Sequence, residues 1–152
     1  MRLYFPARNF CYLVFSLAFS LINVNLAAAQ SGWETPAVLE GAMNISVEEL
    51  VDFKAEFSNI VIIDTGPHDT TQPISIEGAH ALSAQSISPI VLTQLASDKF
   101  TPLVFFGTDP GSIHSYKAAK QAVILGYINV YWFRGGLKEW LDKGMPVVKL
   151  QE

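Results

Sequence analysis

The sequence predicts an α/β domain of three layers, a mainly parallel central sheet flanked by helices. Two patterns carry that expectation. Short, continuous apolar runs suit strands buried on both faces of a parallel sheet, and they alternate with segments that carry helix start and stop signals.

Before the domain comes a segment of a different kind. Residues 1–29 open with Arg2 and Arg8, run apolar from Phe10 through Leu26 and close on Ala27-Ala28-Ala29, with Gln30 next, the layout of a secretory signal peptide cut after Ala29. The alternative is an uncleaved anchor, because the run approaches the roughly 18 to 20 residues that span a bilayer. Asn23, Asn25 and the alanine exit favour cleavage, and hence export to the periplasm without stable membrane insertion. Cys11, the only cysteine, leaves with that segment, so the exported domain has no disulfide and depends on apolar packing. The whole chain has a net charge of −4, and losing Arg2 and Arg8 makes it more acidic still. An acidic balance without Lys/Arg clusters argues against nucleic acid and anionic membranes as partners.

Residues 30–44 read as a loose N-terminal arm that Trp33 can pin, and residues 45–150 as one domain. In Ile45-Ser46-Val47-Glu48-Glu49-Leu50, Ser46 can cap a helix, Glu49 can reach back to it and Ile45 can staple onto Leu50; the helix runs to about Phe57. Asn59 to Asp64 is a buried strand, followed by a polar loop from Thr65 to Ser75. Ser88-Pro89 starts a second helix, to about Ala96. Pro102 to Phe106 is the next strand; after a loop, Ser112 can cap a helix to Leu125, which Gly126 stops. Ile128 to Phe133 is a third strand, Gly136 to Lys143 a short helix, and Val147 to Leu150 a candidate edge strand.

This order of signals resembles the rhodanese-like family over Ile45 to Val147. The most specific stretch is Gly126 to Trp140 followed by Gly144-Met145-Pro146-Val147: a glycine-led strand, the Gly135-Gly136 turn, a helix carrying tryptophan and a terminal Gly-x-Pro-Val. Ile63-Asp64 is similar to the strand end that opens the family's Asp-x-Arg element, and Ile76-Glu77-Gly78-Ala79 to its His-Ile-Pro-Gly-Ala element. The resemblance implies a nucleophilic cysteine at the end of a central strand, in a loop whose amides stabilise thiolate and persulfide. Matching Leu103-Val104-Phe105-Phe106 to that strand puts Gly107 at the cysteine position. Gly66 stands where the Asp-x-Arg arginine falls, Ser75 where the histidine falls, and the loop is longer than usual and holds no arginine. Glycine can neither attack sulfur nor carry a persulfide or phosphocysteine, so the resemblance implies a catalytically silent member with no catalytic residues and no cofactor.

The expected crevice lies beyond the strand ends, where Asp64, Thr108, Asp109, Gly111, Ser112, His114 and Arg134 are the ligand-binding candidates. Asp109 brings negative charge to the loop and Pro110 removes an amide, which favours a protein or peptide over a small anion. Arg134, the only arginine after residue 29, can hold a carboxylate or pair with Asp64. One alternative is a metal on His68, Asp109 and His114; another is hydrolysis by Ser112 or Ser115 with His114, although residues so close on one helix rarely face each other. Trp132 and Phe133 should be buried on opposite faces of the sheet, and Trp140 in the core.

Overall fold

The computed structural model describes residues 35–67 and 74–150. The signal segment, Trp33, His68 and Asp69 therefore lie outside the described residues. No helix among those described is long and apolar enough to cross a membrane.

The strands are β1 (Met43–Asn44), β2 (Val61–Asp64), β3 (Ile74–Ser75), β4 (Ala79–Ala81), β5 (Leu103–Phe106), β6 (Val130–Phe133) and β7 (Val148–Lys149); the helices are α1 (Val47–Glu56), α2 (Pro89–Leu95), α3 (Ile113–Ile124) and α4 (Gly136–Asp142). Five strands form one parallel sheet in the order β1-β6-β5-β2-β4, with β5 at its centre. The register places Asp64, Phe106 and Phe133 level with one another, so the loops after β2, β5 and β6 emerge side by side.

The apolar runs have no polar face because both faces of the sheet are covered. Val61, Ile63, Leu103, Phe105, Val130 and Trp132 pack with Leu92 of α2 and with Ala118, Ala119 and Ala122 of α3. The alternate residues Ile62, Val104, Phe106, Tyr131 and Phe133 pack with Val47 and Leu50 of α1 and with Leu137 and Trp140 of α4. Trp132 and Phe133 are fully buried in opposite clusters, and Trp140 is buried with its indole N–H donating to the Pro146 carbonyl at 2.8 Å. Each such large side chain contributes about 1.5–3 kcal/mol when taken out of water, which is how a domain without disulfides holds together.

Local chemistry sets the helix starts. The Ser46–Glu49 capping box is present, with Glu49 accepting the Ser46 amide at 2.7 Å and Ser46 Oγ accepting the Glu49 amide at 3.2 Å. Ser88 caps α2 through the Val91 amide, and Pro89 takes the first helical position.

Three features differ from the sequence expectation. The arm is packed rather than loose from Thr35 onward: Thr35 and Leu39 are each 4% exposed, and Met43–Asn44 pairs with Tyr131–Trp132 as an edge strand. The C-terminal strand β7 does not join the central sheet but pairs antiparallel with β3, a strand lying at the end of what reads as polar loop. The short strand β4, in the segment after Gly78, extends the parallel sheet beside β2.

Candidate functional site

The crevice is built from the loops that leave β2, β5 and β6. Phe106 ends β5, and its carbonyl accepts both the amide and the hydroxyl of Thr65, at 2.9 and 2.8 Å, which ties the first two loops together. Asp64 is buried at the end of β2. Its carboxylate accepts the Gly66 amide at 2.9 Å and the Ser75 hydroxyl at 2.5 Å, so Ser75 braces this aspartate. Gly66 faces Thr108 across the crevice: a Cβ built on it would lie 3.3 Å from Thr108 Oγ1.

Gly107 is buried at the root of the next loop. Its carbonyl accepts the Leu137 amide at 2.8 Å, and the Thr108 carbonyl accepts the Lys138 amide at 2.8 Å. Two of the free amides in the first turn of α4 are thereby spent on the loop rather than offered to a ligand. Close approach makes this possible: Gly136 has φ +65°, and a Cβ on it would collide with the Gly107 carbonyl oxygen.

The amides within the loop are also partly consumed. Asp109 Oδ1 accepts the Gly111 amide at 2.8 Å, and the Asp109 carbonyl accepts the Ser112 amide at 3.0 Å. The aspartate thus supplies, from inside the chain, the negative group that such a turn would otherwise take from a ligand. Asp109, Pro110, Gly111 and His114 are exposed, while Thr108 and Ser112 are half-buried.

Two expectations are corrected here. Ser112 occupies the N-cap of α3 but makes no capping hydrogen bond; its side chain instead lies over Gly107, where space was open for it. Arg134 hydrogen-bonds the N-terminal arm instead of pairing with Asp64. Its Nη2 and Nε donate to the carbonyls of Thr35 and Pro36 at 3.3 and 3.4 Å, and the guanidinium sits 5.8 Å from the centre of the Trp132 indole. Thr35 in turn donates its hydroxyl to the Gly111 carbonyl at 2.7 Å, so the arm spans from Arg134 to the β5 loop.

The serine–histidine alternative does not assemble. Ser115 is buried, accepts the Trp132 indole N–H at 3.1 Å and donates to the Ser112 carbonyl at 3.1 Å, whereas His114 faces solvent. Of the metal alternative, His68 is outside the described residues, and no group of three metal-ligating side chains occurs among the described ones. The structure therefore brings Asp64, Gly66, Thr108 and Ser75 together and gathers Asp109, Gly111 and Ser112 into one turn. His114 lies outside both groups, and Arg134 meets the second only through Thr35.

Sequence reasoning missed Thr35, the part Ser115 plays in bracing Ser112 and Trp132, and the role of Gly136. Only the last left a signal, the Gly135-Gly136 pair; Thr35 meets Gly111 across 76 positions, which no local pattern announces.

A parallel sheet with helices on both faces and a loop that leads from its central strand into a helix defines the class, and the chain belongs to the rhodanese-like family: the model of the Rhodanese-like domain matches residues 46–143. Among solved structures it is similar to thiosulfate sulfurtransferase from Pseudomonas aeruginosa, with a TM-score of 0.58 and 19% identity over 72% of this chain, but it spans only 21% of that protein. It is also similar to a Bacillus halodurans protein, at TM-score 0.58 and 18% identity over 93% of this chain and 86% of that one. A third likeness is to the 30 kDa polysulfide-sulfur transferase homodimer from Wolinella succinogenes, at TM-score 0.55 and 18% identity, covering 71% and 79% of the two chains. At such identities these likenesses speak for the fold alone. No curated protein matches the chain.

Proposed function

We propose that this chain is an exported, catalytically silent rhodanese-like domain that serves as a binding or accessory module for a protein partner. The observation that carries this reading is Gly107 at the end of β5, with the Ser112 side chain lying over it. Sulfur transfer at that position requires a side chain that attacks sulfur and then holds it as a persulfide, and glycine has none. The sulfur-transferring activities named for the Pseudomonas and Wolinella proteins are therefore not carried over to this domain.

The surroundings support recognition of a peptide over that of a small anion. Amides of the β5 loop and of the start of α4 are already bonded to Asp109 and to loop carbonyls, and Arg134 holds the arm. What the loop and the first turn of α3 offer outward is an irregular edge of Asp109, Pro110, Gly111 and His114. Loop edges carried on a rigid sheet are where recognition is commonly placed.

The test is affinity capture from the exported fraction of the source cells with the wild type and an Asp109→Ala, His114→Ala variant, which leaves the arm's bonds to Arg134 in place. The expected result is a partner retained by the wild type and lost by the variant. Equal retention by both contradicts recognition through this crevice and places the partner elsewhere on the domain, and no partner with either points to a small ligand or metal. The export half of the proposal predicts a mature chain that begins at Gln30, read by intact mass.

A further inference from the structure

We infer that Ser112 is the residue that closes the crevice floor: its side chain takes the volume that any side chain at position 107 would need, so a thiol cannot be restored at position 107 alone. A Cβ built on Gly107 would collide with Ser112 Oγ and lie 2.6 Å from Ser112 Cβ, with Ser115 Cβ at an ordinary 3.5 Å. The hydroxyl can swing aside by rotating about χ1, but the Cβ moves only if the backbone moves.

The backbone on both sides is pinned. The Ser112 amide donates to the Asp109 carbonyl at 3.0 Å, and its carbonyl accepts Ser115 Oγ at 3.1 Å, itself anchored by the buried Trp132 indole. Across the gap, the Gly107 carbonyl is fixed by the Leu137 amide at 2.8 Å and backed by Gly136. A serine at an N-cap ordinarily bonds the backbone two or three residues on. This one forms no such bond, so filling the space over Gly107 is the contact left to it. Glycine at 107 and serine at 112 therefore act as a steric pair. Calling position 107 the vestigial nucleophile site rests on the functional reading above; the steric coupling does not.

The test is a double-mutant cycle in the full chain, followed by thermal unfolding and by alkylation with iodoacetamide, with the modified peptides resolved by mass so that Cys11 is counted separately. Gly107→Ala should lower Tm by roughly 5 °C or more, the usual scale of overpacking. In that background Ser112→Ala should recover little, because it leaves the offending Cβ, whereas Ser112→Gly should recover most of the loss. With Gly107→Cys, the introduced thiol should alkylate at least about tenfold faster once Ser112→Gly is added, as expected when access limits a thiol. If Gly107→Cys does not fold, the alanine series reads the same coupling. An unchanged Tm in Gly107→Ala, or purely additive effects of the two sites, would overturn the inference. Failure to capture a partner leaves this cycle untouched, since it reads only folding and access.

Discussion

Two crossings in this molecule invite comparison, the one from β5 to α3 and the one from β6 to α4. They leave neighbouring strands at the same level, Phe106 opposite Phe133, and both pass through glycine before entering a helix. In the β6 crossing, Gly136 sits at φ +65° against the Gly107 carbonyl, and Trp140 is locked to Pro146. The β5 crossing is built differently, with glycine at the strand end, a turn closed by Asp109 and a serine over the root. The difference separates two kinds of demand. A close backbone approach is required whenever the sheet and helices pack this way; a nucleophile is required only if there is a reaction to perform.

The sharpest way to break that comparison is Gly136→Ala. It combines a disfavoured φ with a collision against backbone, so a loss of about 3 kcal/mol or more is expected by thermal or urea unfolding. A loss near zero would mean that the close approach of Gly136 to the Gly107 carbonyl does not constrain the β6 crossing.

A smaller effect is expected where the arm meets the β5 loop. Thr35→Val preserves shape but removes the hydroxyl bonded to the Gly111 carbonyl, costing roughly 1 kcal/mol. Its more telling consequence is local: amide exchange over residues 108–112 should quicken while that of the β5 strand stays unchanged. Exchange that is unaltered in the loop would show that the arm does not brace it.

The smallest expected effect lies away from both crossings. The Ser46 backbone amide, then its hydroxyl, hold the Glu49 carboxyl below the ordinary value of 4.5. The unfolded chain therefore binds the proton more readily, so this group stabilises the fold above pH 4.5 and loses that effect as pH falls through its lowered folded value. Glu49→Gln should accordingly reduce Tm slightly at pH 7, with the gap from wild type closing under acid. A gap that widens as pH falls would contradict the capping box as its source.

The three central strands and four helices are legible in the sequence because each carries its own pattern, an apolar run or a capped amphipathic segment. Strands β1, β3 and β4 are only two or three residues long and take their definition from a neighbour. Met43 and Asn44 are exposed and gain strand geometry only by lying beside Tyr131 and Trp132. The location of the candidate site was legible for the same reason as the strands, since it lies where they end. Its wiring was not. Ser112 has the residue type of a cap, but the empty volume over Gly107 claims its side chain; Arg134 has the chemistry to hold an anion, but the nearest acceptors are carbonyls of an arm almost a hundred positions away.

The most direct test of the central claim is thiocyanate production from thiosulfate and cyanide by the purified wild-type chain and its Cys11→Ser variant. Both should stay at the rate of the protein-free blank, because nothing at the end of β5 can accept sulfur. Catalytic turnover by either protein would contradict the account, and turnover by the cysteine-free variant would show that sulfur transfer in this fold needs no thiol at that strand end.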